Sequence, residues 1–185
     1  MKILVYGSKD FGRLIRELVR STGHECVGFI DDFATGPDIV GTYADAQRLF
    51  PPTSGVGIVI AIGYEHIPAR WSVFERVTSD GYAVPALIHP TAVVHSGVPI
   101  GTGAIVMAGA NVDAFSEIGS LAVLWPGVIV SHDSLVGSNS FLSPGAIVCG
   151  FVTIGSGCFI GAGAVVADHR SVPAGSFVKA AGLYK

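Results

Sequence analysis

Charge is scarce in this chain. Only 14% of its 185 residues are Asp, Glu, Lys or Arg, and the balance is −3 with no basic cluster. Nucleic acid is therefore not expected as a partner, because phosphate contacts call for clustered Lys and Arg. Cysteine is scarce too: Cys26, Cys149 and Cys158 are an odd, scattered set with no CxxC. They read as small buried hydrophobes in a reducing cytoplasm, and their spacing supports no metal site. No uninterrupted apolar run reaches the roughly 18 residues of a membrane span. The N-terminus starts at once on Ile3-Leu4-Val5-Tyr6, without the basic n-region and long apolar h-region of a signal peptide. The expected location is the cytoplasm.

What the chain does have is apolar side chains, at 50%, and glycine, at 25 residues. A repeat accounts for both. Stepping by six from Ile88 gives Ile88, Val94, Ile100 and onward through Val130, Val148 and Val166 to Val178, sixteen aliphatic residues at one phase without an insertion. Four residues after each of the first fifteen comes a mostly small residue, and only Arg170 breaks that column. An α-helix cannot give a period of six, and a single strand gives two. A solenoid satisfies it: every sixth side chain points inward and stacks on its copies, with coils roughly 4.8 Å apart. Glycine directly after an aliphatic (Gly101, Gly119, Gly137, Gly155, Gly161) is expected at corners with unusual backbone angles. A purely architectural β-helix is the alternative, but its flat faces of repeated Thr or of one charge are absent.

The first half reads differently. Ile3 to Gly7 is a buried strand, and the loop Ser8-Lys9-Asp10-Phe11-Gly12 leads into a helix from Arg13 to Thr22, with Leu14, Leu18 and Val19 on one face. His24 to Ile30 is a second strand ending in Asp31-Asp32. Gly57 to Gly63 is a third, followed by a helix from Pro68 to Thr78. Strands alternating with helices indicate a small parallel α/β sheet that binds ligands outside the carboxyl ends of its strands. Gly7-x4-Gly12 is not the dinucleotide G-x-G-x-x-G, since Lys9 stands at the second glycine; a tight turn before a helix would also explain it. The periodicity changes near Gly81 to Pro85, so the expected domains are 1–84 and 85–185.

The order of these pieces, with Gly28-Phe29-Ile30-Asp31-Asp32, Val40-Gly41-Thr42, Ala61-Ile62-Gly63 and Leu87-Ile88-His89-Pro90-Thr91-Ala92 leading into the hexads, covers nearly the whole chain. It resembles the hexapeptide-repeat sugar acetyltransferases, related to sialic-acid O-acetyltransferases and to N-acetyltransferases of bacterial nucleotide-linked 4-amino-sugars used in surface glycans. The resemblance implies a Rossmann-like α/β domain followed by a left-handed parallel β-helix of about five coils, a homotrimer, and acetyl-CoA as co-substrate with no permanently bound cofactor. It implies that Gly7, Ser8, Gly12, Asp31, Asp32, Gly63 and Tyr64 hold the nucleotide of the sugar. The chain departs from the family in its loop, where Asp10-Phe11 replaces Gly-His, and in its tail, Val178-Lys179-Ala180-Ala181-Gly182, where Gly-x-Pro-Ala-Lys is usual. Arg70 lies a few residues beyond the family's arginine after the third strand.

Ser131-His132-Asp133 resembles the family's catalytic histidine followed by an acidic residue. Its phase adds a physical reason: His132 comes two residues after inward Val130, near a corner and pointing out of the coil. One coil on is Gly150, whose N–H could receive the thioester carbonyl oxygen. One further on is Asp168, whose backbone could meet the pantetheine arm. Transfer from a thioester needs a base that works near neutrality, which suits His132, with Asp133 orienting the imidazole. His89 and His95 are expected on the surface of the first coil.

The leading expectation is an acetyl-CoA-dependent N-acetyltransferase of a nucleotide-activated amino-sugar. The alternatives are a sialic-acid-type O-acetyltransferase and a non-catalytic sugar-nucleotide-binding module. A γ-type carbonic anhydrase shares the β-helix but needs three zinc-binding histidines, two of them five residues apart. Positions 127 and 137, five to either side of His132, are glycine, so no metal is expected.

Overall fold

The computed structural model describes residues 1–185 and divides into two compact units, Met1–Pro85 and Ala86–Lys185. In the first unit β1 (Lys2–Tyr6), β2 (Glu25–Ile30), β3 (Ile39–Gly41) and β4 (Gly57–Ile60) form one parallel sheet in the order β3-β2-β1-β4. The helices are α1 (Asp10–Ser21), α2 (Tyr43–Leu49) and α3 (Ile67–Ser79). The near-continuous apolar runs of β1 and β4 are what a sheet buried on both faces requires: Ile3, Leu4, Val5, Ile58, Val59 and Ile60 are wholly buried.

Two expectations need correction here. The first helix starts at Asp10, three residues earlier than its apolar pattern indicated, so Asp10, Phe11 and Gly12 belong to its first turn. Residue 12 has to be glycine there, because a Cβ would collide with the carbonyl oxygen of Gly7. That shift turns the helix: Ile15, Leu18 and Val19 are buried, while Leu14 is 45% exposed. Strand β3 and helix α2 lie in a stretch without a legible period. The three residues of β3 are too few to show alternation, and α2 is set by a capping box between Thr42 and Asp45.

The second unit is a parallel β-helix. Two-residue strands stack at steps of eighteen, as in Val130 on Val112 and Val148 on Val130, and form three flat sheets. The inward column is buried from Val106 to Val178, and only its first members are open, with Ile88 37% exposed at the end. The small-residue column is buried from Ala104 to Ala164, and Arg170, the residue that breaks it, is exposed.

The corner glycines do a different job from the one expected. From Val94 onward the left-handed backbone lies at the third residue after each inward aliphatic, at Gly97, Gly109 or Gly145 for example, and not at the first. A Cβ on Gly137 would come within 2.6 Å of the backbone of Gly155 on the next coil. Gly101, Gly119, Gly155 and Gly161 meet the next coil in the same way. These residues are small so that coils can approach each other, not so that the chain can turn.

Candidate active site

The left-handed position recurs at three corners. At two of them it is mostly glycine, but at the third it is occupied in successive coils by Gly97, Phe115, Asp133, Phe151 and His169. Each side chain held there costs about 1 kcal/mol or more. Backbone strain concentrated along one edge marks that edge out, and His132 lies on it.

The His132 ring and the Asp133 carboxylate are half exposed, with Nδ1 of the imidazole 2.9 Å from Oδ2. Because the carboxylate can only accept, Nδ1 is the donor of this contact, and the tautomer it selects directs the lone pair of Nε2 away from Asp133. The ring lies over Gly150, where a Cβ would come within 2.9 Å of Cε1 and 3.0 Å of Nε2. Glycine is therefore needed at 150 for the imidazole to sit where it does. Phe151 meets the imidazole edge-on, at 5.3 Å and 87°, and is itself stacked on His169 at 4.7 Å and 4°.

Backbone hydrogen bonds tie the corner from coil to coil. Asp133 N donates to Ala114 O, Phe151 N to His132 O and His169 N to Gly150 O. The N–H groups of Gly150 and Asp168 are absent from this lattice of bonds, so both remain available to an acceptor. Two buried serines brace the same edge. Ser116 Oγ donates to Ser131 O at 2.8 Å and accepts from Ser134 N. Ser134 Oγ donates to Cys149 O at 2.8 Å and accepts from Val152 N. The residues immediately before His132 and Gly150 are thus pinned to neighbouring coils.

In the first unit, the carboxyl ends of the strands border a cleft of about 480 Å³ lined by Tyr6, Asp32, Phe33, Ile62 and the α3 face Ala69, Ser72, Val73 and Arg76. Asp32 accepts from the Tyr6 hydroxyl and, at 2.8 Å, from Tyr43 N, and lies 3.7 Å from Arg76. Arg76 also donates to the Tyr6 hydroxyl and lies 4.4 Å above the Tyr43 ring. Burial, reinforced by the hydrogen bond to Asp32, pushes the Tyr6 phenol above its ordinary pKa, so it stays a donor.

Of the other residues expected at the nucleotide, none lines this cleft. Asp31 is buried and fully engaged. Oδ2 accepts from Ser8 N and Ser8 Oγ, and Oδ1 accepts from Phe33 N and Ala34 N at 3.0 Å each. Burial pushes its pKa up, but the bonds from Ser8, Phe33 and Ala34 outweigh it and hold the carboxyl below the ordinary value. Gly7, at φ +110°, and Gly12 form the turn that the Ser8–Asp31 contact braces. Gly63 precedes a short 3-10 turn that starts at Tyr64, which is 45% exposed. Arg70 is wholly buried on α3, and burial pushes its pKa down to about 10. Arg76 is the cation at the cleft, and the sequence carried a signal for it: 69, 72, 73 and 76 share one helical face.

Two family descriptions match the chain. Residues 2–77 match the PglD N-terminal domain, and residues 133–168 match the bacterial transferase hexapeptide (six repeats). Over these two stretches the chain is similar to PglD-type N-terminal domains and to hexapeptide-repeat transferases. The resemblance drawn from its motifs holds. No curated protein matches by sequence, but solved structures do. The acetyltransferase domain of PglB from Neisseria gonorrhoeae FA1090 superposes with a TM-score of 0.93 at 29% identity, over 100% of this chain and 91% of that one. The same domain in complex with acetyl coenzyme A gives 0.86 at 28%, over 97% and 88%. PerB from Caulobacter crescentus, in complex with CoA and GDP-perosamine, gives 0.81 at 27%, over 98% and 95%. The β-helix is of the left-handed acetyltransferase type. No helix is long and apolar enough to cross a membrane.

Proposed function

We propose that the protein is an acetyl-CoA-dependent N-acetyltransferase of a nucleotide-activated amino-sugar. The observation that carries this reading is the His132 corner: a base with a free Nε2, oriented by Asp133 at 2.9 Å, lying over a glycine whose N–H is unused. The PglB domain complex with acetyl coenzyme A and the PerB complex with CoA and GDP-perosamine supply the class of both substrates.

In this reading the sugar amine attacks the thioester carbonyl carbon. A C–N bond forms, the amine proton passes to His132 Nε2, and the oxyanion is met by the Gly150 N–H. Collapse breaks the C–S bond, and the thiolate of CoA takes the proton from the imidazolium. A positioned base contributes typically ~10²–10⁴-fold and an oxyanion donor ~10²–10³-fold. No acyl-enzyme is needed, and acetyl-CoA acts as co-substrate. The pantetheine arm runs along the Asp168 backbone, one coil beyond Gly150. The nucleotide occupies the Asp32–Arg76 cleft, where a guanidinium suits a diphosphate and Asp32 takes a ribose or base donor, while Ser8, Gly7 and Gly12 shape the loop beside β1.

The working unit is a homotrimer. Val93, Ile129 and Leu183 point outward on one flat sheet at 63%, 40% and 62% exposure, a stripe that leads into the His132 corner and calls for cover. Free cysteines at 26, 149 and 158 agree with a cytoplasmic location.

The test is to incubate the protein with acetyl-CoA and a set of nucleotide-linked 4-amino-sugars, including GDP-perosamine, and to characterise the product by mass spectrometry and NMR. An amide at the amino carbon supports the reading. An ester, or no acetylated sugar with any of them, overturns it.

A further inference from the structure

Below His132 on the same edge, the first two coils enclose a second cleft, of about 380 Å³, lined by His95, Gly97, Pro99, Phe115, Ser116 and Glu117 among others. Because the helix repeats every eighteen residues, Ser96, Ala114, His132, Gly150 and Asp168 are one column, with steps of roughly 4.8 Å. The cleft therefore lies one to two coils below the base, on the opposite side from the Gly150 and Asp168 amides. An acceptor approaching from this side and a thioester from the other would meet at His132.

The chemistry of the lining is specific. His95 Nδ1 is 2.9 Å from the carbonyl oxygen of Ser96, so Nδ1 holds the ring proton and Nε2 is an acceptor. Glu117 contributes an exposed carboxylate. Ser116 Oγ is spent on the backbone of the next coil, at Ser131 O and Ser134 N. The polar groups on offer are thus acceptors, suited to a ligand rich in O–H and N–H donors. Phe115 adds an aromatic face. It is held in the left-handed conformation at φ 62° and is 82% exposed. Phe151, one turn of the same column away from Asp133, bears the same strain at φ 57° but packs against both His132 and His169. No ring packs on Phe115 and most of its surface is open to solvent, and strain held with so little cover is found where a ligand supplies the contact.

We infer that this cleft is the acceptor subsite: the pyranose ring of the amino-sugar lies on Phe115, with its hydroxyl and amino hydrogens directed to Glu117 and His95 Nε2. The inference rests on the proposed acetyl transfer and assigns it two specificity residues, Phe115 and Glu117, together with His95.

Steady-state kinetics on Phe115→Gly and Glu117→Gln test it, with GDP-perosamine and the UDP- and dTDP-linked 4-amino-4,6-dideoxyhexoses as acceptors. Glycine is at ease in the left-handed conformation, so Phe115→Gly keeps or raises the melting temperature while removing the ring. The expected result is a rise in KM for the sugar nucleotide of about tenfold or more in each variant, with KM for acetyl-CoA unchanged. Transfer by the wild type with an unaltered sugar KM in both variants overturns the subsite and leaves the proposed function standing. Absence of transfer by the wild type with every acceptor overturns the proposed function itself.

Discussion

Asp133 is the residue on which the chemistry of His132 turns, and it can be altered without disturbing the coil. Asparagine accepts the left-handed backbone that Asp133 adopts at φ 55°, but it no longer presents a charged acceptor to Nδ1. Asp133→Asn should lower kcat by about tenfold or more through loss of the tautomer and of imidazolium stabilisation, with melting temperature and both KM values little changed. A fall in melting temperature with kcat intact would make Asp133 a corner residue only. The two acids at the end of β2 divide in a similar way. Asp31→Asn should lower the melting temperature, because four donors converge on that carboxylate. The sign with pH follows from its depressed pKa: its contribution is present above the ordinary Asp value of 3.8 and fades as pH falls through the lower folded value. The variant's melting temperature should accordingly depend less on pH in the acid range. Asp32→Asn should instead raise the sugar-nucleotide KM. If Asp31→Asn moved the sugar KM and left the acid-range profile as it was, the roles would be reversed. The corner placement of His132 and Asp133 was legible because the hexad phase fixes which residues reach a corner. Asp31 and Asp32 were legible as a pair but not individually, since two adjacent carboxylates share one motif and only their hydrogen bonds separate them.

At the level of the coil, the small residues directly after the inward aliphatics set how closely neighbours stack. Gly137 has a coil on each side and no room for a methyl group. Gly137→Ala should destabilise the helix by about 1–3 kcal/mol, the usual penalty for overpacking, read by chemical denaturation. Gly145, at φ +67° with open space around its Cβ direction, would lose stability for a different reason, backbone strain, and a D-alanine introduced there by semisynthesis should restore it. Equal tolerance of L- and D-alanine at 145 would contradict the division of labour between the two glycine positions. The sequence showed the glycine columns but not which column turns and which one packs, because both appear at a period of six. It also gave no sign of β3, whose three residues carry no period, and it placed the start of α1 by its apolar side chains, which begin after the Asp10-Phe11-Gly12 turn.

Across the whole molecule, the two architectures were readable because strands alternate with helices in the first half and a period of six runs unbroken through the second, which placed the change near Gly81 to Pro85. The cleft at Arg76 and the edge formed by Phe115, Phe151 and His169 were not readable as sites: the helical face 69, 72, 73, 76 and the eighteen-residue step are present in the sequence, but only the sheet order and the left-handed corners make them a cleft and a strained edge. An outward apolar stripe beside the reactive corner predicts association. Equilibrium sedimentation should give three times the chain mass, and Ile129→Glu, in the middle of that stripe, should shift the protein toward monomer with loss of activity. A stable monomeric wild type with full activity would remove the proposed trimer. The central claim is direct acetyl transfer at the His132 corner. The measurement that bears on it most directly is the initial rate of free CoA release from acetyl-CoA, with and without the amino-sugar nucleotide, for the wild type and His132→Ala. The account predicts release only when both substrates are present, and a rate lower by ~10²-fold or more in the variant with its folding intact. Release by the wild type without the sugar, or an undiminished rate in His132→Ala, would contradict it.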